Sequence, residues 1–136
     1  MVAHEHHTIA LSKNQKLVLD ALSESQKPLS AYSILDDLRG DGFRAPLQVY
    51  RALEKLLEFG MVHRIESMNA FIACSQSSCD LASMTAFAIC DRCETVSEVK
   101  DMALSDCLAA IARQSGFKSN RSNIELHGLC VRCDDA

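Results

Sequence analysis

Cys90-Asp91-Arg92-Cys93 and Cys130-Val131-Arg132-Cys133 are two C-x-x-C pairs with 36 residues between them. Two residues between cysteines let both sulfurs of one turn face a common centre, and two such turns supply four thiolates. That is the ligand set of a closed, tetrahedral structural zinc site, with no open position for a substrate. The alternatives are two disulfides or unrelated buried cysteines. Residues 1–7 show no basic stretch followed by an apolar one, so a cytoplasmic, reducing setting is expected, and disulfides are rare there. The 36-residue gap exceeds that of a compact zinc ribbon, so the chain between the pairs must leave the site and return.

Three cysteines remain. Cys74 and Cys79 flank or lie in a small polar stretch, Ser-Gln-Ser-Ser-Cys-Asp-Leu-Ala-Ser over 75–83, and could form an oxidisable pair. Cys107 falls on the apolar face of an expected helix and reads as a small core residue. His4, His6 and His7 crowd the N-terminus as a weak metal-binding tail or a frayed end. No Ser/His/Asp set, nucleotide fingerprint or glycine-rich phosphate loop is legible, so neither catalysis nor a small-molecule substrate is expected.

The elements that would carry these residues follow from periodicity and punctuation. Ser12 can cap a helix running to about Ser25, with Leu17, Val18, Ala21 and Leu22 on one face. Pro28 interrupts, Ser30 caps a second helix to about Arg39, with Ile34, Leu35 and Leu38 inward, and Gly40 and Gly42 end it. Pro46 opens a third helix to about Phe59, with Val49, Leu53, Leu56 and Leu57 buried and Gln48, Tyr50, Arg51 and Lys55 outward. Two extended runs, 62–66 and 70–73, joined by Ser67-Met68-Asn69, read as a hairpin. Three helices and a hairpin give the order of a winged helix-turn-helix, with the third helix entering the major groove and the hairpin as wing; a small helical unit without DNA shares that pattern. Beyond the 75–83 linker, 84–89 and 95–99 read as strands. Asp101 starts a helix to about Ser115 with Leu104, Leu108 and Ile111 inward, and 123–127 is a third strand leading to Cys130. The expected fold class is therefore α+β. It comprises a winged-helix unit over 1–74, a linker over 75–83 and a small α/β dimerisation unit with the four-cysteine structural zinc site over 84–136. The second unit has so little core that it should need its metal, a partner subunit, or both.

Composition sets limits on function. Hydrophobic residues make up 48% of the 136, so a packed core is expected; no apolar run approaches the roughly 20 residues that span a bilayer, so no membrane role is expected. The formal charge is −4, with eight Lys/Arg against nine Asp/Glu in 1–75 and six against nine in 76–136. Any nucleic-acid contact must rest on a local surface.

Ser30-Ala31-Tyr32 followed by Leu35, then Val49-Tyr50-Arg51-Ala52-Leu53, resemble the DNA-binding helices of the ferric uptake regulator family of bacterial metal-sensing repressors. Val62-His63-Arg64-Ile65-Glu66-Ser67 resembles the start of that family's wing. Ile89-Cys90-Asp91-Arg92-Cys93 and Glu125-Leu126-His127-Gly128-Leu129-Cys130 resemble its zinc uptake regulator branch. The resemblance, over residues 12 to 133, implies a homodimer that binds a palindromic operator in double-stranded DNA and represses uptake genes when metal is plentiful. It implies DNA contacts at Tyr50 and Arg51, with Gln48 on the same outward face of the third helix as a further DNA-binding candidate, structural zinc at Cys90, Cys93, Cys130 and Cys133, and regulatory zinc ligands at His63, Cys74 and Glu98. The branch's linker histidine has no counterpart here, and Arg121 stands where a further histidine site would begin. Cys79 is the strong ligand left in the linker, with Ser83, His127 or water as other candidates for the fourth position.

Thiolate and imidazole ligands favour zinc over ferrous iron or manganese. A metal joining His63, Cys74 and Cys79 to Glu98 would fix the angle between the two units, and in a dimer that angle sets the separation of the recognition helices. Two other readings stay open: a redox-sensing regulator working through Cys74 and Cys79, and a zinc enzyme or carrier without DNA binding.

Overall fold

The computed structural model describes residues 10–74 and 84–134. The N-terminal histidines, the 75–83 linker, Cys79 and Ser83 lie outside the described residues.

Helix α1 spans Lys13–Glu24 and begins with a reciprocal cap: the Gln15 amide donates to the Ser12 hydroxyl, and the Ser12 amide donates to the Gln15 side chain. Val18 and Leu22 are its buried residues. Helix α2, Ala31–Leu38, starts where Ser30 accepts from the Ser33 amide. It passes into a 3-10 turn, Arg39–Asp41, and ends at Gly42, whose φ of 98° is a left-handed conformation that only glycine adopts without strain. Helix α3, Pro46–Glu58, buries Val49, Ala52, Leu53 and Leu56, an i, i+3, i+4, i+7 stripe. Phe43, between α2 and α3, is fully buried beneath them.

Strands β1, Val62–Ile65, and β2, Ala70–Ala73, form an antiparallel hairpin in which His63 stands opposite Ile72. Its connection is a 3-10 turn, Glu66–Met68, closed by Asn69 at φ 47°. Leu29 also pairs with Phe71, tying the hairpin to the entry of α2. One core of α1, α2, α3, Val62 and Phe71 holds this unit together.

In the C-terminal half, β3, Met84–Cys90, is the centre of a three-stranded sheet. Strand β4, Val96–Glu98, runs antiparallel to it, and β5, Ser122–Gly128, runs parallel on the other side. Helix α4, Met102–Gln114, makes the crossover between β4 and β5 and is capped by Asp101, which accepts from the Ala103 amide. A short helix α5, Val131–Asp134, not anticipated from the pattern, follows Cys130.

Two inward assignments fail here. No residue of α4 is buried: Ile111 is 53% exposed, Leu104 and Leu108 are half-covered, and Cys107 is exposed instead of filling a core. The amphipathic pattern is real, but a three-stranded sheet in one chain is too small to cover the face it marks. The half is instead joined to the hairpin by a second core, in which Ile65, Phe87 and Ile89 pack with Met68, Ile72 and Val96.

Candidate metal centres and nucleic-acid interface

Cys90 ends β3, Cys93 lies one turn on, and Cys130 and Cys133 bracket the start of α5, so the sheet's parallel β3–β5 pair brings both C-x-x-C turns to one end. Their four sulfurs lie within 4.8 Å of one another, with Cys93 Sγ and Cys130 Sγ 3.7 Å apart. None is in a disulfide, which removes the disulfide alternative for these pairs. The surroundings favour thiolate at Cys90 and Cys93. The Cys130 amide donates to Cys90 Sγ at 3.4 Å, and Cys93 Sγ lies 3.1 Å from the Thr95 hydroxyl. The amides of Cys93 and then Cys130 lower the Cys90 thiol to about 6, and the Thr95 hydroxyl lowers Cys93. Cys133 is raised to about 12, first because of its hydrogen bond with Cys130, so in the metal-free cluster it holds a proton that its neighbours share. Four sulfurs converging this closely, with amide donors aimed at them, fit a zinc ion of tetrahedral thiolate coordination.

The second cluster joins the two units. His63 comes from β1, Cys74 follows β2, and Glu98 ends β4; one ligand atom of each lies within 4.8 Å of the others. His63 Nε2 is buried without a hydrogen-bond partner, and its ring packs against Phe87 at 5.6 Å between centroids, tilted by 60°. A buried, unpaired imidazole nitrogen costs about 1–3 kcal/mol, which a metal ion would offset. Burial, the larger cause, pushes the His63 pKa below its ordinary value against the pull of Glu98, and this favours the neutral form that ligates metal. Cys74 is disulfide-bonded in this structure, so its sulfur would be available to a metal only after reduction. His127 is not part of this cluster: its Nε2 lies 3.2 Å from Glu125 Oε2 and its Nδ1 3.6 Å from Asp91 Oδ1. That engagement argues against it as the fourth ligand.

On α3, Leu47, Tyr50 and Arg51 are exposed, at 57% for Leu47 and 41% for Tyr50. Gln48, the third DNA-binding candidate, caps its own helix in the DNA-free chain. Its Oε1 accepts from the amides of Arg44 at 2.7 Å and Ala45 at 3.0 Å, closing the helix N-terminus that Ala45 has no side chain to cap. Asp20, Glu24, Asp37 and Asp41 line a cleft of about 500 Å³ between α1 and the end of α2, to which α3 contributes no residue.

The C-terminal half exposes Met102, Ile111, Phe117, Leu126, Leu129 and Val131, and β5 is an unpaired sheet edge among the described residues. An apolar helix face beside an open edge calls for a cover. Two contacts between the units carry no motif: the packing of Ile65 on Phe87 and Ile89, and a hydrogen bond from the Ser67 amide to Glu125 Oε1 at 3.2 Å.

Residues 6–127 match the model of the ferric uptake regulator family. The zinc uptake regulation protein of Escherichia coli strain K12 is 37% identical over 126 residues, 92% of this chain and 73% of that protein. The holo form of XcZur superposes with a TM-score of 0.86 at 37% identity, covering 95% of this chain and 89% of that one. A zinc uptake regulator complexed with zinc and DNA superposes equally well, with a TM-score of 0.86 at 37% identity over 95% of this chain and 86% of the other. The Helicobacter pylori ferric uptake regulator, at 18% identity, shares the fold with a TM-score of 0.63 over 93% of this chain and 83% of its own.

Proposed function

The chain belongs to the ferric uptake regulator family, and from that premise we propose that it is a zinc-responsive repressor of zinc-uptake genes, acting as a homodimer on a palindromic operator in double-stranded DNA. The observation that carries this reading is the second cluster: His63 and Cys74 from the wing meet Glu98 from the sheet within 4.8 Å around an unpartnered buried nitrogen. Residues 1–74 are the DNA-binding unit, 75–83 the linker and 84–136 the dimerisation unit, whose exposed α4 face and β5 edge would meet a second copy. The site of action is the cytoplasm, and no catalytic role is proposed; no helix among the described residues is long and apolar enough to cross a membrane.

Zinc at Cys90, Cys93, Cys130 and Cys133 holds the dimerisation unit together. Zinc at His63, Cys74 and Glu98, with Cys79 as fourth ligand, is the signal. It can favour the DNA-competent arrangement only by binding that arrangement more tightly than others. Closing the cluster holds the wing against the sheet. In the dimer this sets the two α3 helices to half-sites about 34–36 Å apart or a multiple of it. The bulk charge of −4 is no obstacle when the contact is confined to one helix face.

Mobility shift with a duplex selected from a random-sequence library tests the reading against its rivals. Binding that requires zinc and is lost to chelator supports it; binding governed by oxidant would make the chain a thiol sensor, and no binding under any condition would leave a zinc carrier. Arg51 can pair with a guanine edge or a phosphate, and Tyr50 with a phosphate or a thymine methyl. Arg51→Ala should weaken specific binding by about 1–3 kcal/mol with zinc content and dimerisation unchanged. Wild-type operator affinity in that variant would mean that α3 does not read the DNA through this residue. Gln48→Ala should act mainly on stability, by about 1 kcal/mol, since its side chain completes the helix start.

A further inference from the structure

The register of the sheet places Glu98, Phe87 and Glu125 side by side across β4, β3 and β5. Residues in register share a face, and this face meets the wing at three points. Glu98 joins His63 and Cys74 at the base of the hairpin, and Phe87 packs on the His63 ring. Glu125 reaches the hairpin's far end, where its Oε1 accepts from the Ser67 amide at 3.2 Å. The Ser67 hydroxyl, first, together with the Ser67 and Glu66 amides and His127, lowers the Glu125 pKa and keeps it ionised. The same carboxylate is steadied from the sheet side by His127 Nε2 at 3.2 Å from Oε2. A carboxylate aimed at the opening amides of a 3-10 turn makes charge-assisted bonds that a neutral side chain cannot fully replace.

We propose that Glu125 is a positioning residue for DNA binding: its carboxylate pins the tip of the wing to the dimerisation sheet and gives the sensory metal a fixed pivot against which to set the recognition helix. With the tip pinned, closing the His63–Cys74–Glu98 end fixes the remaining freedom of the wing across the sheet. Without the pin, the metal still binds at the base and Ile65 still packs on Phe87 and Ile89, but the tip of the wing is free to shift against the sheet. Metal binding and operator affinity would then come apart.

This inference rests on the proposed function, and the test separates the two. Zinc-loaded wild type, Glu125→Ala, Glu125→Gln and Ser67→Pro are compared for zinc per chain, dimerisation and affinity for the library-selected duplex, and the first three also for hydrogen exchange at the Ser67 amide. Glu125→Ala is expected to keep both zincs and the dimer, to expose the Ser67 amide to exchange, and to bind the duplex about 10–100-fold more weakly, the scale of lost hydrogen bonds to a charged group. Glu125→Gln, which still offers an oxygen to the amide, should recover part of that loss. Ser67→Pro removes the donor from the wing side, outside the dimerisation unit, and should reproduce the loss. If Glu125→Ala disturbs the dimer, Ser67→Pro decides: weaker duplex binding with an intact dimer supports the pivot, and wild-type binding overturns it. Unchanged affinity in Glu125→Ala with intact zinc and dimer also overturns it. If the wild type itself shows no zinc-dependent binding, the proposed function fails and takes the pivot with it. If only the variants behave as wild type, the pivot alone fails.

Discussion

Cys90→Ser or Cys133→Ser should cost one zinc per chain and turn a dimer into monomeric or aggregated protein. The C-terminal half has little else to hold it. Its buried residues are Ala86, Phe87, Ile89 and Cys90, all on β3, and two of these pack mainly on the wing. Neither α4 nor β5 buries a residue among those described. Folding free energy is about 5–15 kcal/mol for a whole domain, whereas structural zinc in small thiolate sites binds with about 10–16 kcal/mol. Losing even part of the second quantity is enough to unfold a half with so small a core. The position of each ligand sharpens the expectation. Cys90 and Cys130 tie the end of β3 to the turn after β5, so opening the site frees the parallel pair on which the sheet's register depends. Cys107, exposed and outside both clusters, is the control: Cys107→Ser should leave zinc content unchanged. Metal analysis and sizing of the purified variants decide the matter. A stable, dimeric, DNA-binding Cys90→Ser protein with its zinc retained would refute the structural role.

The winged unit is legible in the sequence because each element there carries its own punctuation. Ser12, Ser30 and Pro46 start helices, and Gly42 and Asn69 stop or turn the chain where a left-handed backbone is needed. The four-cysteine centre is legible from spacing alone, since C-x-x-C fixes local geometry whatever lies between. The errors fall where burial depends on what the chain does not contain. Leu108 and Ile111 have helical spacing, which reports an apolar face but not whether the same chain covers it. The use of Gln48 as a cap is not legible from its place on the wheel: three residues back stands Ala45, which cannot cap, and the side chain turns to the helix start. The contacts that join the units, Ile65 with Phe87 and Ser67 with Glu125, span dozens of residues and leave no local signal. The His63, Cys74 and Glu98 set comes from the family resemblance; periodicity would have left each as an ordinary strand-end residue.

His63→Ala should keep the structural zinc and the dimer but lose the response to zinc. The unpartnered Nε2 decides the outcome. In metal-free protein that nitrogen is a liability, so removing it costs only the packing of the ring on Phe87. In zinc-loaded protein the proposed site makes the same nitrogen a ligand, so removing it would forfeit the stabilisation that comes from binding the folded state. That stabilisation is about 2.7 kcal/mol when free zinc stands 100-fold above its dissociation constant. The zinc-induced shift of the melting temperature at the second site should therefore disappear, while the melting temperature without added zinc moves little. Operator affinity should follow: a zinc dependence of about 5–150-fold, the usual range of such coupling, should fall to near one. Cys79→Ser then settles the fourth ligand. Two thiolates and one carboxylate around a dication leave a net −1, which favours zinc by charge and makes affinity fall as pH drops and the thiols take protons. The assignment gives Cys79→Ser the same phenotype as His63→Ala, with the structural zinc untouched. Reduced protein must be used, because Cys74 offers its sulfur only as a thiol. If Cys79→Ser still binds two zincs per chain and represses as wild type does, the fourth position belongs to Ser83 or water, His127 being held by Glu125, and only His63, Cys74 and Glu98 remain as protein ligands.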